Sequence, residues 1–284
     1  MEIKSKTVDT IHRPVRGAQA PPTTHSEHKH AASITQVTEP PSAVVYCEGN
    51  FAQIDGKTAN GLVRHSEAYR ILSVIDSTFG GQDSGSVLDD TMNHIPIFDD
   101  LDASVAHQAV IPDTLIYGMA PSTGRLSPAD RGVVINAIAL GMNIVSGLHE
   151  YLGDDHEIAT AASERNVTIH DIRKPKPSKD MRLFDGSVAG VKALRIAVLG
   201  TDCAIGKRTT ATVLARALNA KGIKTVLVGT GQTGLMQGAK YGIAMDAVPP
   251  QFSCGELEGA IVAASEAEQH DVILIEGQGA LSHT

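Results

Sequence analysis

Short apolar runs recur along this chain and alternate with turn residues and helix-length segments: residues 43–47, 71–75, 114–119, 143–146 and 167–170. Strands this short and this apolar are buried on both faces, and strands joined by helical crossovers pair in parallel. An α/β fold is therefore predicted. The connecting helices read over residues 57–63, 129–140 and 154–165, the second of them closed by Gly141, the residue type that ends helices. Residues 1–38 are polar, with Pro21, Pro22 and scattered histidines and no helix or strand period, and are read as a disordered tail whose His25, His28 and His30 are solvated. Residues 39–172 then form a first α/β unit. Two prolines and a cluster of basic residues interrupt the pattern over 173–192, which reads as a linker or exposed crossing segment. A second α/β unit occupies 193–284.

That second unit carries the most specific chemistry. An apolar run over 194–199 leads into Gly200, Thr201, Asp202, Cys203, Ala204, Ile205, Gly206, Lys207, Arg208 and Thr209, and a helix over 209–221 follows, closed by Gly222. Glycines let backbone N–H groups turn inward, the helix start adds its positive end, and Lys207 supplies a cation, so the segment reads as a phosphate-cradling loop. Gly200, Thr201, Asp202, Cys203, Gly206, Lys207, Arg208 and Thr209 are its candidate ligand-binding residues. Five residues separate the glycines, and Arg208 stands where a P-loop ordinarily carries the Mg²⁺-binding hydroxyl. Cys203, near a helix start, can be a thiolate nucleophile or a small packed residue. Its spacing to Arg208 is one residue short of the cysteine-phosphatase loop.

A strand over 271–275 places Glu276 at its carboxyl end, on the sheet edge that also holds the phosphate loop. Glu276 can accept a proton or hold Mg²⁺ through water. Gln278 belongs to the same glycine-rich motif. After the strand at 225–229, Gln232, Thr233 and Gly234 either line a polar substrate site or form a flexible loop. His149, beyond the strand at 143–146, is a general-base candidate or a structural histidine. Lys57 and Arg64 can receive a carboxylate, or they form a solvated helix face. Residues 120–124, a turn after a strand, can contact a ligand, and turn chemistry alone accounts for them equally.

Composition narrows the partners. With 284 residues and 42% hydrophobic composition the chain has enough apolar material for two cores, and a net charge of −8 provides no field for a nucleic-acid backbone or an anionic membrane. It has neither an apolar run long enough to span a membrane nor the apolar core of a secretion signal. A cytoplasmic protein acting on a small molecule is expected, and a homo-oligomer is compatible with the sequence. Its three cysteines make no disulfide framework or metal-binding pattern, so no metal ligands are assigned.

Two resemblances follow from these motifs. Residues 200–207 and 275–279 resemble the phosphate loop and acidic glycine motif of the dethiobiotin synthetase class of P-loop proteins. A more extensive match runs through residues 55–64, 146–152, 200–207, 231–234, 245–248 and 275–283, which are similar to a two-domain family associated with D-glutamate N-acetyltransferase activity. The resemblance implies a Rossmann-like parallel sheet followed by a P-loop NTPase-like parallel sheet. It also implies acetyl transfer from acetyl-CoA to an acidic amino acid, D-glutamate, in D-amino-acid metabolism. That family continues past the Ser282–His283 pair, so the resemblance further implies an incomplete P-loop domain here and leaves open whether the chain turns over.

Under the acetyltransferase reading the loop grips a phosphate of CoA, a role that needs Lys207 and backbone donors but no magnesium hydroxyl. His149, Glu276 and His283 are the candidate bases, and Lys57, Arg64, Gln232, Thr233, Gly234 and Gln278 the candidate substrate contacts. Under the dethiobiotin synthetase resemblance the ligand is ATP with Mg²⁺, and Thr209 has to replace the hydroxyl lost at position 208. A nucleotide- or CoA-binding remnant without activity is the third expectation.

Overall fold

The computed structural model describes residues 39–202 and 205–279; the tail read over 1–38, together with Cys203 and His283, lies outside them. A six-stranded sheet is built from β1 (Ser42–Tyr46), β2 (Arg70–Ile75), β3 (Ile97–Phe98), β4 (Thr114–Tyr117), β5 (Asn143–Ser146) and β6 (Ile169–Asp171). Its strand order is β3-β2-β1-β4-β5-β6, with every neighbouring pair parallel. This is the doubly wound order, with a switch point between β1 and β4 where successive crossovers leave in opposite directions. All five residues of β1 are buried, which explains why the strand reads as one apolar run.

The crossovers carry α1 (Lys57–His65), α2 (Ser84–Asp89), α3 (Leu101–Ala106), α4 (Pro128–Ala139) and α5 (His156–Arg165). Helix starts are specified locally. Asp83, Asp100, Ser127 and Asp155 each accept a first-turn N–H through the side chain, satisfying donors that the helix leaves orphaned. Val44, Val45, Leu115, Ile116 and Ile144 fill the core between sheet and helices.

The second sheet comprises β7 (Leu194–Val198), β8 (Thr225–Gly229), β9 (Tyr241–Gly242) and β10 (Val272–Glu276), with α6 (Lys207–Ala220), α7 (Gln232–Gln237) and α8 (Pro250–Ala267) between strands. Its order is β7-β10-β8-β9, again parallel throughout. Among the described residues β7, the strand that feeds the phosphate loop, is an edge strand, and Leu194 at its start and Leu199 just after it stay exposed.

Two features differ from the sequence expectation. Residues 232–237, within what reads as a glycine–threonine loop, form helix α7. Helix α8 carries no clear amphipathic pattern because Gly255 and Gly259 lie on it and Glu256 and Glu258 are buried. Those two carboxylates also hold the crossing segment at 173–192, most of which is exposed. Glu256 accepts from the Arg182 backbone N–H at 2.7 Å and pairs with Lys176, while Glu258 accepts from Asp185 and Val188 N–H at 2.9 and 3.1 Å. At the start of the segment, buried Arg173 donates from Nε to the Gly147 carbonyl at 2.6 Å and pairs with Asp246.

The two sheets meet where α1 packs on α7. The Thr58 and Thr233 hydroxyls share a 2.9 Å hydrogen bond, and Gln237 Nε2 donates to the Gly61 carbonyl at 2.5 Å. Glu67 and Ala68 N–H groups both donate to the Gln237 carbonyl.

Candidate active site

The phosphate loop leaves β7 and enters α6 through Gly206, whose φ of +94° is left-handed backbone that glycine adopts without steric cost. Lys207 is the first residue of α6 and folds its ammonium back across the loop, donating to the carbonyls of Asp202 at 2.6 Å and Gly279 at 3.1 Å. It thereby bridges the loop to the segment after β10. Thr201 and Asp202 are exposed, while Gly200, Lys207, Arg208 and Thr209 are half-buried. Anion binding needs a lysine held at the loop mouth and a helix start, and both are present.

Glu276 ends β10, is 7% exposed, and accepts from Thr230 N–H at 3.1 Å and from the Gly231 backbone. Burial pushes its carboxyl above the ordinary value, opposed by those donors and by the nearby Arg208 and Lys207 charges. Gly234 lies close to Glu276: a Cβ there would stand 2.6 Å from Oε2, so a larger residue would shift the carboxylate. Gln278 Nε2 donates to Thr230 Oγ1 at 3.0 Å, so this side chain braces the loop after β8.

Arg208 takes a different course from the loop residues before it. Its guanidinium lies against Gly61 of α1, within the electrostatic reach of Glu276 and Arg64. Burial pulls it below its ordinary value, with Glu276 opposing the shift and Arg64 adding to it. Among the described residues, Asn60 Oδ1, Arg208 Nε and Gln237 Oε1 are buried side-chain atoms without a hydrogen-bond partner. These atoms sit on α1, α6 and α7, where the helices converge on Gly61.

The structure brings Gln232, Thr233, Gly234, Glu276 and Gln278 together beside the loop, with Gln232 and Thr233 buried at the start of α7. Lys57 is exposed one residue before Thr58. Arg64 is engaged elsewhere, its guanidinium held by both carboxylate oxygens of Asp89 at 2.6 and 2.7 Å. His149 is exposed after β5 and packs on Gly124, and its side chain makes no hydrogen bond among the described residues. Asn60 and Gln237, beside Arg208, are not singled out in the sequence. Only their burial without partners marks them out.

The fold and the loop define a class: a two-domain α/β protein in which a Rossmann-like sheet precedes a P-loop sheet. Residues 77–175 match the DUF1611_N Rossmann-like domain and residues 182–284 the DUF1611_C P-loop domain, both described as domains of unknown function. The chain belongs to the DUF1611 family. A D-glutamate N-acetyltransferase of Tritonibacter scottomollicae is 35% identical over 170 residues, 60% of this chain and 49% of that protein. Another of the same name, from a Pseudoalteromonas species, is 34% identical with the same coverage. The chain thus spans about half the length of the curated relatives it matches. A crystal structure of a DUF1611 family protein from Anabaena variabilis is 29% identical, with a TM-score of 0.76, covering 86% of this chain and 68% of that one.

Proposed function

We propose that the protein is an N-acetyltransferase that moves the acetyl group of acetyl-CoA onto the amino group of an acidic amino acid, D-glutamate. The observation that carries this reading is the course of Arg208. The residue after the loop lysine offers no hydroxyl to Mg²⁺ and is turned into the α1 seam. What remains at the loop is a cation and a helix start, a set suited to a phosphate bound without metal. The relatives named D-glutamate N-acetyltransferase supply the acyl group and the acceptor of the proposal.

In this reaction the substrate amine forms a bond to the thioester carbonyl carbon, the carbon–sulfur bond breaks, and CoA leaves as its thiol. One proton leaves the ammonium before attack, and a base takes it. The pantetheine arm carries the thioester away from the phosphates, so the base stands off the loop. His149, exposed beyond β5, meets that condition, whereas Glu276 is held beside the loop by Thr230 and Gly231 and organises it. Lys57 is the exposed cation at the start of α1 for the side-chain carboxylate of the acceptor.

Isothermal titration with CoA, acetyl-CoA and ATP, each with Mg²⁺ and with EDTA, tests the ligand assignment. CoA binding that is indifferent to EDTA supports it. ATP binding that requires Mg²⁺, with no CoA binding, overturns it in favour of a carboxylate-activating enzyme.

A further inference from the structure

A crevice of about 490 Å³ opens at the carboxyl edge of the first sheet, at the switch point between β1 and β4, where open α/β sheets bind their ligands. Its walls come from the segments that follow those two strands, with Tyr117, Met119 and Leu126 as the apolar part. Two of its four charged lining residues are committed. Glu48 accepts from the Ser77 N–H at 2.9 Å and from the Ser77 hydroxyl, and Asp130 accepts from the Tyr46 and Tyr117 hydroxyls at 2.7 and 2.9 Å. The other two charged lining residues, Asp55 and Arg125, have side chains without a hydrogen bond or ion pair among the described residues.

The crevice does not carry a dinucleotide signature. The segment after β1 reads Cys47, Glu48, Gly49, Asn50, which lacks the glycine fingerprint of such a site. One uncommitted carboxylate and one uncommitted guanidinium in the same crevice instead match a small molecule with both an ammonium and a carboxylate. Arg125 offers the planar fork that pairs with a carboxylate, and Asp55 accepts the ammonium.

Segments that line the crevice also pack, a few residues further along the chain, against the start of α7. Asp55 lies three residues before Thr58, which bonds Thr233 at the start of α7. Thr123 and Arg125 flank Gly124, which packs on His149; Gly147, two residues before His149, packs on Gln232. The start of α7 in turn abuts Glu276 and Gln278.

We infer that the β1/β4 crevice is the subsite for the free amino acid acceptor, its α-carboxylate on Arg125 and its ammonium on Asp55. The assignment rests on the acetyltransferase reading for its choice of amino acid, but binding is measured apart from turnover. Titration of D-glutamate into the full chain, with and without CoA, should show binding that survives Lys207→Ala and falls at least tenfold in Arg125→Ala and in Asp55→Asn. Arg125 is exposed, and unchanged thermal melts of both variants would show that the fold is kept. Unaltered affinity in both variants overturns the assignment, as does absence of D-glutamate binding under either condition. AMP binding that is lost in the same variants makes the crevice a nucleotide site and overturns it too. Thiol release separates the two claims: binding without release sinks the transferase reading alone, and release with an unchanged KM for D-glutamate in both variants sinks the crevice alone.

Discussion

The Arg208 guanidinium rests on Gly61, so close that a Cβ at position 61 would stand 2.7 Å from Nη1. The residue that follows the phosphate-loop lysine is thus packed on the first-domain helix. Gly61→Ala should displace the guanidinium from the seam. Because the end of a flexible side chain does the moving, the cost is expected to be about 1 kcal/mol, the low end for overpacking a filled site. Alanine also gains about 1 kcal/mol over glycine inside a helix, so urea unfolding compares Gly61→Ala in the parent and in Arg208→Ala. The change should be less favourable with Arg208 present, and an equal change in both would show that the Arg208 contact does not hold the seam.

Glu276 ties folding to pH. Burial raises its carboxyl above the ordinary 4.5, so the folded state favours the protonated form. Its favourable contribution is fully present below the unfolded value and is lost as pH rises through the folded one. Glu276→Gln should therefore gain on the parent at neutral pH, with the gain shrinking as pH falls toward 4.5. Thermal melts over that range decide it; a gap that widens toward acid would reverse the sign.

Asp155 has the opposite linkage. It caps α5 through Ile158 N–H and is gripped by Arg131 through two hydrogen bonds of 2.7 and 2.8 Å. Arg131 and the Ile158 N–H hold the carboxyl down at about 2, against an ordinary 3.8. Its contribution is present above 3.8 and disappears as pH falls through about 2. Asp155→Ala should cost about 1 kcal/mol at pH 7, as loss of a helix cap does. The parent and the variant should converge in stability below pH 2, and a difference that persists there would contradict the linkage.

Glu258 anchors the crossing segment through two backbone donors. Removing it leaves the Asp185 and Val188 N–H groups without that acceptor, at a cost of about 1–3 kcal/mol. Glu258→Ala should also speed tryptic cleavage at Lys179 and Arg182 under native conditions. Cleavage at the parent rate would mean that the segment is held by something other than α8.

The pattern of what sequence reading finds has a physical cause. Strands such as Asn143–Ser146 and Thr225–Gly229 stand out because burial on both faces leaves short apolar runs. The helix ends at Gly141 and Gly222 are legible because both residues carry left-handed backbone. Helix α8 is hidden by its own packing: Glu256 and Glu258 are buried to hold the crossing segment, so charge does not mark a solvent face. Helix α7 is hidden by Gly234, which reads as a turn residue but lies inside the helix beside Glu276. At the site, the order of strand, glycines and lysine announces the phosphate loop. The direction of Arg208 and the engagement of Arg64 by Asp89 cannot be read in the same way, because both depend on contacts between residues distant in sequence.

The most direct test of the account is thiol release from acetyl-CoA by the full chain with D-glutamate as acceptor, compared with Lys207→Ala and with phosphate release from ATP and Mg²⁺. The account predicts thiol release that depends on D-glutamate, at least a hundredfold loss in Lys207→Ala, and no phosphate release. Phosphate release from Mg²⁺-ATP without thiol release, or CoA binding with neither product, would contradict it.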